Sequence, residues 1–266
     1  MKEYYPYDTY KTPLNIGSSL WDYILLRTRL YFYIRVIWSI FRYNRKYAKK
    51  NMYTPDIWAR QSNDILRIAE KSGGKFDVSG IDNIRKVKNV PVIFVGNHMG
   101  LLETMILPSF IEPVRRTTFV IKNSLLNFPL FGEIMKATNP IVVGRENPRE
   151  DLMNVLIEGT KNLDNNISII LFPQSTRQPF FDIKKFNTLG SKLARRGKAL
   201  IVPFALKTDF LENGKFIKDF GKLKREKTVY MKFGEPIELK SSGKEEQEKI
   251  IEFISKNLKE WGVKVL

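Results

Sequence analysis

Residues 90–103 read Val90-Pro91-Val92-Ile93-Phe94-Val95-Gly96-Asn97-His98-Met99-Gly100-Leu101-Leu102-Glu103. An apolar, strand-like run ends in a turn with glycines, and a helix start follows. That order is where many α/β enzymes place reacting groups. The turn holds the only histidine of the 266 residues. Imidazole is the side chain whose unperturbed pKa puts its proton exchange near neutral pH. A solitary histidine also serves as a turn or capping residue, so its surroundings must decide its role.

Outward from this stretch the pattern alternates. Strand-like runs lie at 90–95, 117–121, 140–143, 167–172, 200–205 and 228–233. Helical stretches are expected at about 102–111, 127–137, 149–163 and 187–196, and a last helix at 244–260 spaces Ile250, Ile251, Ile254 and Leu258 along one side. Alternating strands and helices predict an α/β domain over 75–266, a mixed sheet flanked by helices. Residues 1–74 read as a helical, membrane-associating segment, with Lys71-Ser72-Gly73-Gly74 as the helix stop before the α/β body.

Within that segment, 21–50 reads as one amphipathic helix. At about 100° per residue, Arg27, Arg35, Arg42, Arg45 and Lys46 fall within an arc of about 100°. Leu26, Leu30, Tyr33, Ile37 and Phe41 lie opposite, interrupted by Asp22 and Arg29. Such a stripe suits an interfacial helix whose cations meet lipid phosphates; the competing reading is a core-packing helix whose arginines reach out to solvent. A second helix is expected from Pro55 to about Lys71, with Ile57, Trp58, Ile65 and Ile68 on its apolar side.

Composition narrows the function classes. The net charge of +17 implies an anionic partner. No zinc-finger spacing, RNA-binding sheet motif or basic heptad helix is present, so nucleic acid is not the expected partner. Zero cysteines and one histidine offer little for a metal site, and no metal is expected. Neither a secretory signal nor a spanning helix is expected.

His98 and Glu103 are five residues apart, which on one regular helix separates side chains by about 140°. With His98 in the turn and a helix starting near Leu101, Glu103 sits in the first turn and can face back. There it would fix the tautomer of the imidazole and stabilise the imidazolium, making His98 a general base for a hydroxyl. Farther on, Ile167 to Phe172 delivers Gln174, Ser175, Thr176 and Arg177 to a strand end. Arg177 offers a planar fork for a phosphate, and the two hydroxyls can donate beside it. Surface salt-bridging is the plainer account of Arg177 and Arg145, and a solvated face that of Lys122. Pro203 reads as a strand-edge or bend residue.

Asn97-His98-x4-Glu103 resembles the first motif of the glycerolipid acyltransferase superfamily, whose best-known members are 1-acylglycerol-3-phosphate acyltransferases. The family's usual Asp is Glu103 here. Lys122, Leu126, Pro129, Gly132 and Arg145 resemble its second block, Phe172-Pro173-Gln174-Ser175-Thr176-Arg177 its third, and Val202-Pro203-Phe204-Ala205 its fourth. The resemblance implies His98 and Glu103 as the catalytic pair, with Asn97, Lys122, Arg145, Gln174, Ser175, Thr176 and Arg177 binding substrate. It implies a lysophospholipid acceptor, acyl-CoA or acyl carrier protein as the acyl donor, no other cofactor, and an anionic membrane surface, on the cytoplasmic face, held through residues of about 20–50. Where the family has an acid and a glycine, this chain has Gln174 and Ser175. A loss of charge and a restricted backbone there bear on the acceptor's head group more than on the reaction.

Two other classes remain. A non-catalytic phospholipid-binding protein on the same scaffold would bind lipid without turnover. A lipid hydrolase lacks the Gly-x-Ser-x-Gly elbow, and His98 precedes every strong serine candidate.

Overall fold

A computed structural model describes residues 2–87, 89–129, 131–240 and 243–266. Among them the strands are β1 (Tyr10–Lys11), β2 (Lys75–Ser79), β3 (Val92–Gly96), β4 (Thr117–Lys122), β5 (Ile141–Val143), β6 (Ser168–Leu171), β7 (Leu200–Lys207) and β8 (Thr228–Phe233). They form one sheet in the order β1-β2-β8-β7-β3-β6-β4-β5. Strands β7, β3, β6, β4 and β5 run parallel, while β8 is antiparallel to β7 and β1 to β2. The sheet is therefore mixed, and five carboxyl strand ends open on one edge.

The apolar run of β3 is continuous because both of its faces are covered. Val92 and Phe94 face a core shared with Phe32, Val36 and Ile40, with the helix Pro55–Lys71, and with the short helices Leu102–Ile106 and Pro108–Ile111. Ile93 and Val95 face the other core, built with the helices Pro148–Asp164, Leu189–Arg196 and Lys244–Glu260. The helices before Gly74 thus share one core with the strands after it. The helix Pro55–Lys71 follows the expected span: Thr54 caps it by accepting from Ile57 N–H at 3.4 Å, and proline occupies its first position.

The stretch 21–50 is not one regular helix. A short helix, Leu20–Ile24, ends where Leu26 and Arg27 adopt left-handed backbone with φ of 54° and 51°. The chain then resumes as helix Leu30–Ile34, widens into a π-helical stretch Arg35–Phe41, and returns to α-helix over Arg42–Lys49. A break and a wider turn both defeat a constant 100° wheel, so the positions of Arg27 to Lys46 do not follow from one regular helix. Tyr31, Phe32, Tyr33, Val36 and Ile40 pack inward, as the core-packing alternative requires. Leu20, Trp21, Ile24, Leu26, Leu30, Ile34 and Trp38 stay exposed. Asp22 and Arg29, which looked like interruptions, are tertiary fasteners. Asp22 is buried and paired with Arg225 at 2.9 Å, and Arg29 donates to the Phe220 carbonyl at 2.6 Å.

Pro203 is a second correction, for it lies in β7, between β3 and β8, and not at a sheet edge. The regular β8 ladder ends at Phe204–Phe233, one residue short of Pro203. Pro203 keeps its carbonyl in use, accepting from Gly234 N–H at 2.7 Å.

Candidate active site

The turn after β3 projects His98 from the carboxyl edge, and the helix starting at Leu102 begins four residues later. Glu103, fully buried in that helix's first turn, folds back to the turn that precedes it. Its Oε1 lies 3.0 Å from His98 Nδ1 and accepts from the backbone N–H groups of Met99 at 2.7 Å and Gly100 at 2.6 Å. Its Oε2 accepts from the Thr208 hydroxyl at 2.5 Å. Burial alone would raise the pKa of this carboxyl. Hydrogen bonds and charge from His98, with those of Thr208 and Gly100, outweigh burial and hold it below its ordinary value. A buried carboxylate satisfied on both oxygens is a fixed negative charge behind the imidazole.

The ring of His98 is held from its face as well. Phe172 stacks on it with centroids 4.2 Å apart and planes 20° from parallel. Its backbone N–H donates to Gln174 Oε1 at 3.2 Å, and its carbonyl accepts from Gln178 N–H at 2.9 Å. The side chain remains 14% exposed, so the site is recessed but open.

Asn97 has a different task from the one the motif implies. Buried, it donates through Nδ2 to the Leu206 carbonyl and accepts at Oδ1 from Leu206 N–H, both at 2.8 Å. Both the oxygen and one N–H of the amide are thus engaged in tying the end of β3 to β7. That tie also places Thr208, two residues beyond Leu206, against Glu103.

The third block sits beside His98 after β6. Gln174 is buried; Oε1 is used by His98, while Nε2 has no hydrogen-bond partner among the described residues. Ser175 has φ of 62°, in the left-handed region where glycine is at ease, so the backbone shape survives the substitution at the cost of some strain. Ser175 and Thr176 are exposed. Arg177, largely covered, is ion-paired with Asp219. The charge that Gln174 no longer supplies to Arg177 is therefore provided from the loop before β8.

Lys122 and Arg145 lie along the same edge without touching His98. Lys122 ends β4, two strand spacings from β3, or roughly 10 Å. Arg145 follows β5, three spacings away, roughly 15 Å. Arg145 is exposed, has φ of 66°, and is anchored by its N–H donating to Asp151 at 2.7 Å. Gly132 earns its place between them by contact, since a Cβ there would strike the Leu126 carbonyl oxygen. Thr208 and Asp219 were not singled out from sequence. A signal for Thr208 existed, a hydroxyl just beyond an apolar strand; for Asp219 no local pattern marks it.

A family model described as Acyltransferase matches residues 75–207, half of the chain. The chain belongs to the Acyltransferase family. The four sequence blocks, including His98, Glu103 and residues 172–177, fall within that Acyltransferase match. A 1-acyl-sn-glycerol-3-phosphate acyltransferase of Pseudomonas aeruginosa is 28% identical over 148 residues, 56% of this chain and 54% of the relative. One of Borreliella burgdorferi is 30% identical over 151 residues, 56% of each. The chain thus spans about half the length of these curated relatives. The crystal structure of the 1-acyl-sn-glycerophosphate acyltransferase PlsC from Thermotoga maritima shares the fold, with TM-score 0.65 and 19% identity over 89% of this chain and 95% of that one.

Proposed function

We propose that this member of the Acyltransferase family moves a fatty acyl group from a thioester, acyl-CoA or acyl carrier protein, to the free glycerol hydroxyl of a lysophospholipid. The favoured acceptor is 1-acylglycerol-3-phosphate, giving phosphatidic acid. The observation that carries this reading is the His98–Glu103 pair at 3.0 Å, inside a carboxylate network with no free oxygen.

With Nδ1–H donated to Glu103, Nε2 is left as the base. It takes the hydroxyl proton as the acceptor oxygen attacks the thioester carbonyl. The tetrahedral intermediate then collapses, the new C–O ester bond replaces the C–S bond, and the imidazolium returns its proton to the departing thiolate. Glu103 stabilises the imidazolium and keeps the ring from turning. Arg177, with Thr176 and Ser175 beside it, faces the acceptor phosphate; Lys122 and Arg145 extend the positive edge outward. The exposed apolar residues between Leu20 and Trp38, among Arg27, Arg35 and Arg42, support docking on an anionic membrane, the source of a lysophospholipid acceptor.

The test is thiol release by purified protein given acyl thioester and lysophosphatidic acid. Turnover by wild type and its loss in His98→Ala is the expected result. Lipid binding without thiol release from any of a panel of lyso-acceptors and both donor types would sink the reading in favour of a binding protein.

A further inference from the structure

The segment between Leu211 and Leu223 leaves the body of the protein and returns to it through an antiparallel bridge between those two residues. Its tip is closed by Gly214 N–H donating to the Lys218 carbonyl and Phe220 N–H to that of Ile217, both at 3.0 Å. At the tip Phe216 is fully exposed, at 101%, and Ile217 is 58% exposed. Lys215, Lys218 and Lys222 flank them and are also exposed. The nearby acids are engaged elsewhere: Asp219 pairs with Arg177, and Glu212 lies 3.7 Å from Lys224.

This loop is fastened at both its neighbours. On one side Arg29 donates to the Phe220 carbonyl at 2.6 Å, Tyr33 donates to that of Gly221 at 3.1 Å, and the rings of Tyr33 and Phe220 are 5.0 Å apart. Arg29 and Tyr33 belong to the segment that also carries the exposed apolar residues Trp21, Ile24, Leu26 and Leu30. On the other side Asn213 donates to the Met99 carbonyl at 2.8 Å, next to His98, and Asp219 holds Arg177. A fully exposed phenylalanine beside an isoleucine is costly in water, and lysines around it match anionic headgroups.

We propose that residues 213–220 form a second membrane contact, with Phe216 and Ile217 entering the surface of an anionic bilayer beside the break at Leu25–Arg29. This rests on the acyltransferase reading only for its purpose. It would bring the lipid surface to a loop whose own side chains touch the His98 turn and Arg177, so that an acceptor leaving the bilayer meets the phosphate-binding arginine directly.

The chain has no cysteine, so Phe216→Cys can carry a single environment-sensitive nitrobenzoxadiazole probe. Lys161→Cys, on the helix of the opposite layer, is the control. On vesicles of phosphatidylcholine with phosphatidylglycerol, the probe at 216 should shift to the blue and be quenched by brominated lipid, and the probe at 161 should not. Phe216→Ser with Ile217→Ser should lower vesicle partition about tenfold or more, while leaving thiol release from soluble short-chain substrates unchanged. Water-like emission at 216 in vesicle-bound protein overturns the proposal. So does a blue shift without lipid that grows with protein concentration, which would mark a second copy as the occupant. Failure of wild type to release thiol from the soluble substrates overturns the acyltransferase reading instead, and leaves the probe result to stand or fall alone.

Discussion

Thr208 donates to Glu103 on Oε2, the oxygen that His98 does not use, at 2.5 Å. Thr208 therefore acts through Glu103 as a positioning residue. Thr208→Val keeps the shape and removes the donor, leaving a buried carboxylate oxygen unpaired. The expected cost is about 1–3 kcal/mol of stability. Thr208 is one of the groups holding the Glu103 pKa below its ordinary value. Its loss should raise that pKa and loosen the carboxylate's hold on the imidazole, lowering kcat with acceptor KM little changed. An unchanged kcat in a folded variant would show that the hydroxyl does nothing for the pair.

His98→Ala should abolish turnover, and Glu103→Gln should lower kcat about 10²–10⁴-fold with acceptor KM little changed. Steady-state thiol release measures both. The same carboxylate makes a pH statement about folding. Because its folded pKa lies below the ordinary 4.5, its ionised form stabilises the fold above that value, and this stabilisation is lost as pH falls through the folded pKa.

Arg177→Ala should raise acceptor KM about 10- to 100-fold and change kcat less. The single change also strands Asp219, which is only 18% exposed, so some loss of stability is expected. Arg177→Ala with Asp219→Ala should recover the stability and not the KM. Recovery of both would reduce Arg177 to a structural role.

Glu112 gives a slope of the opposite sign. Burial raises its pKa to about 8, against the lowering effect of the Thr117 N–H that donates to it at 2.8 Å. Between about pH 4.5 and 8 the unfolded chain has lost this proton and the folded protein still holds it, so stability falls as pH rises. Glu112→Gln should remove that slope, up to a few kcal/mol across the window. Thermal melts at several pH values in wild type and variant decide it.

What was legible in the sequence was local. The helix Pro55–Lys71 carries its own cap, both it and Lys244–Glu260 carry their own periodicity, and the His98–Glu103 pairing follows from a strand, a turn and five positions of spacing. What was illegible was long-range. Thr208 reaches Glu103 across 105 positions, Asn97 reaches Leu206 across 109, and Arg177 reaches Asp219 across 42. No local pattern encodes such partners. The strand β2 went unnoticed although Phe76 and Val78 alternate inward, because five residues after a glycine pair give too short a period. The N-terminal stretch differs for a related reason: Asp22 is buried against Arg225 just before the break at Leu26–Arg27, and a wheel drawn on residues 21–50 knows nothing of residue 225.

The Asn97 clamp has a consequence for how such a site can change over time. It ties the His98 turn to β3 and β7, while Arg177, Lys122 and Arg145, the groups proposed to meet the head group, lie at or after the ends of β6, β4 and β5. On the proposed function, chemistry and selectivity occupy separate strands of one edge, joined where Gln174 receives the His98 N–H, Phe172 stacks on its ring and Gln178 donates to its carbonyl. On that same function, residues 174 and 175 can change while the His98–Glu103 geometry is kept. The edge is in that sense modular, an engine beside an interchangeable socket.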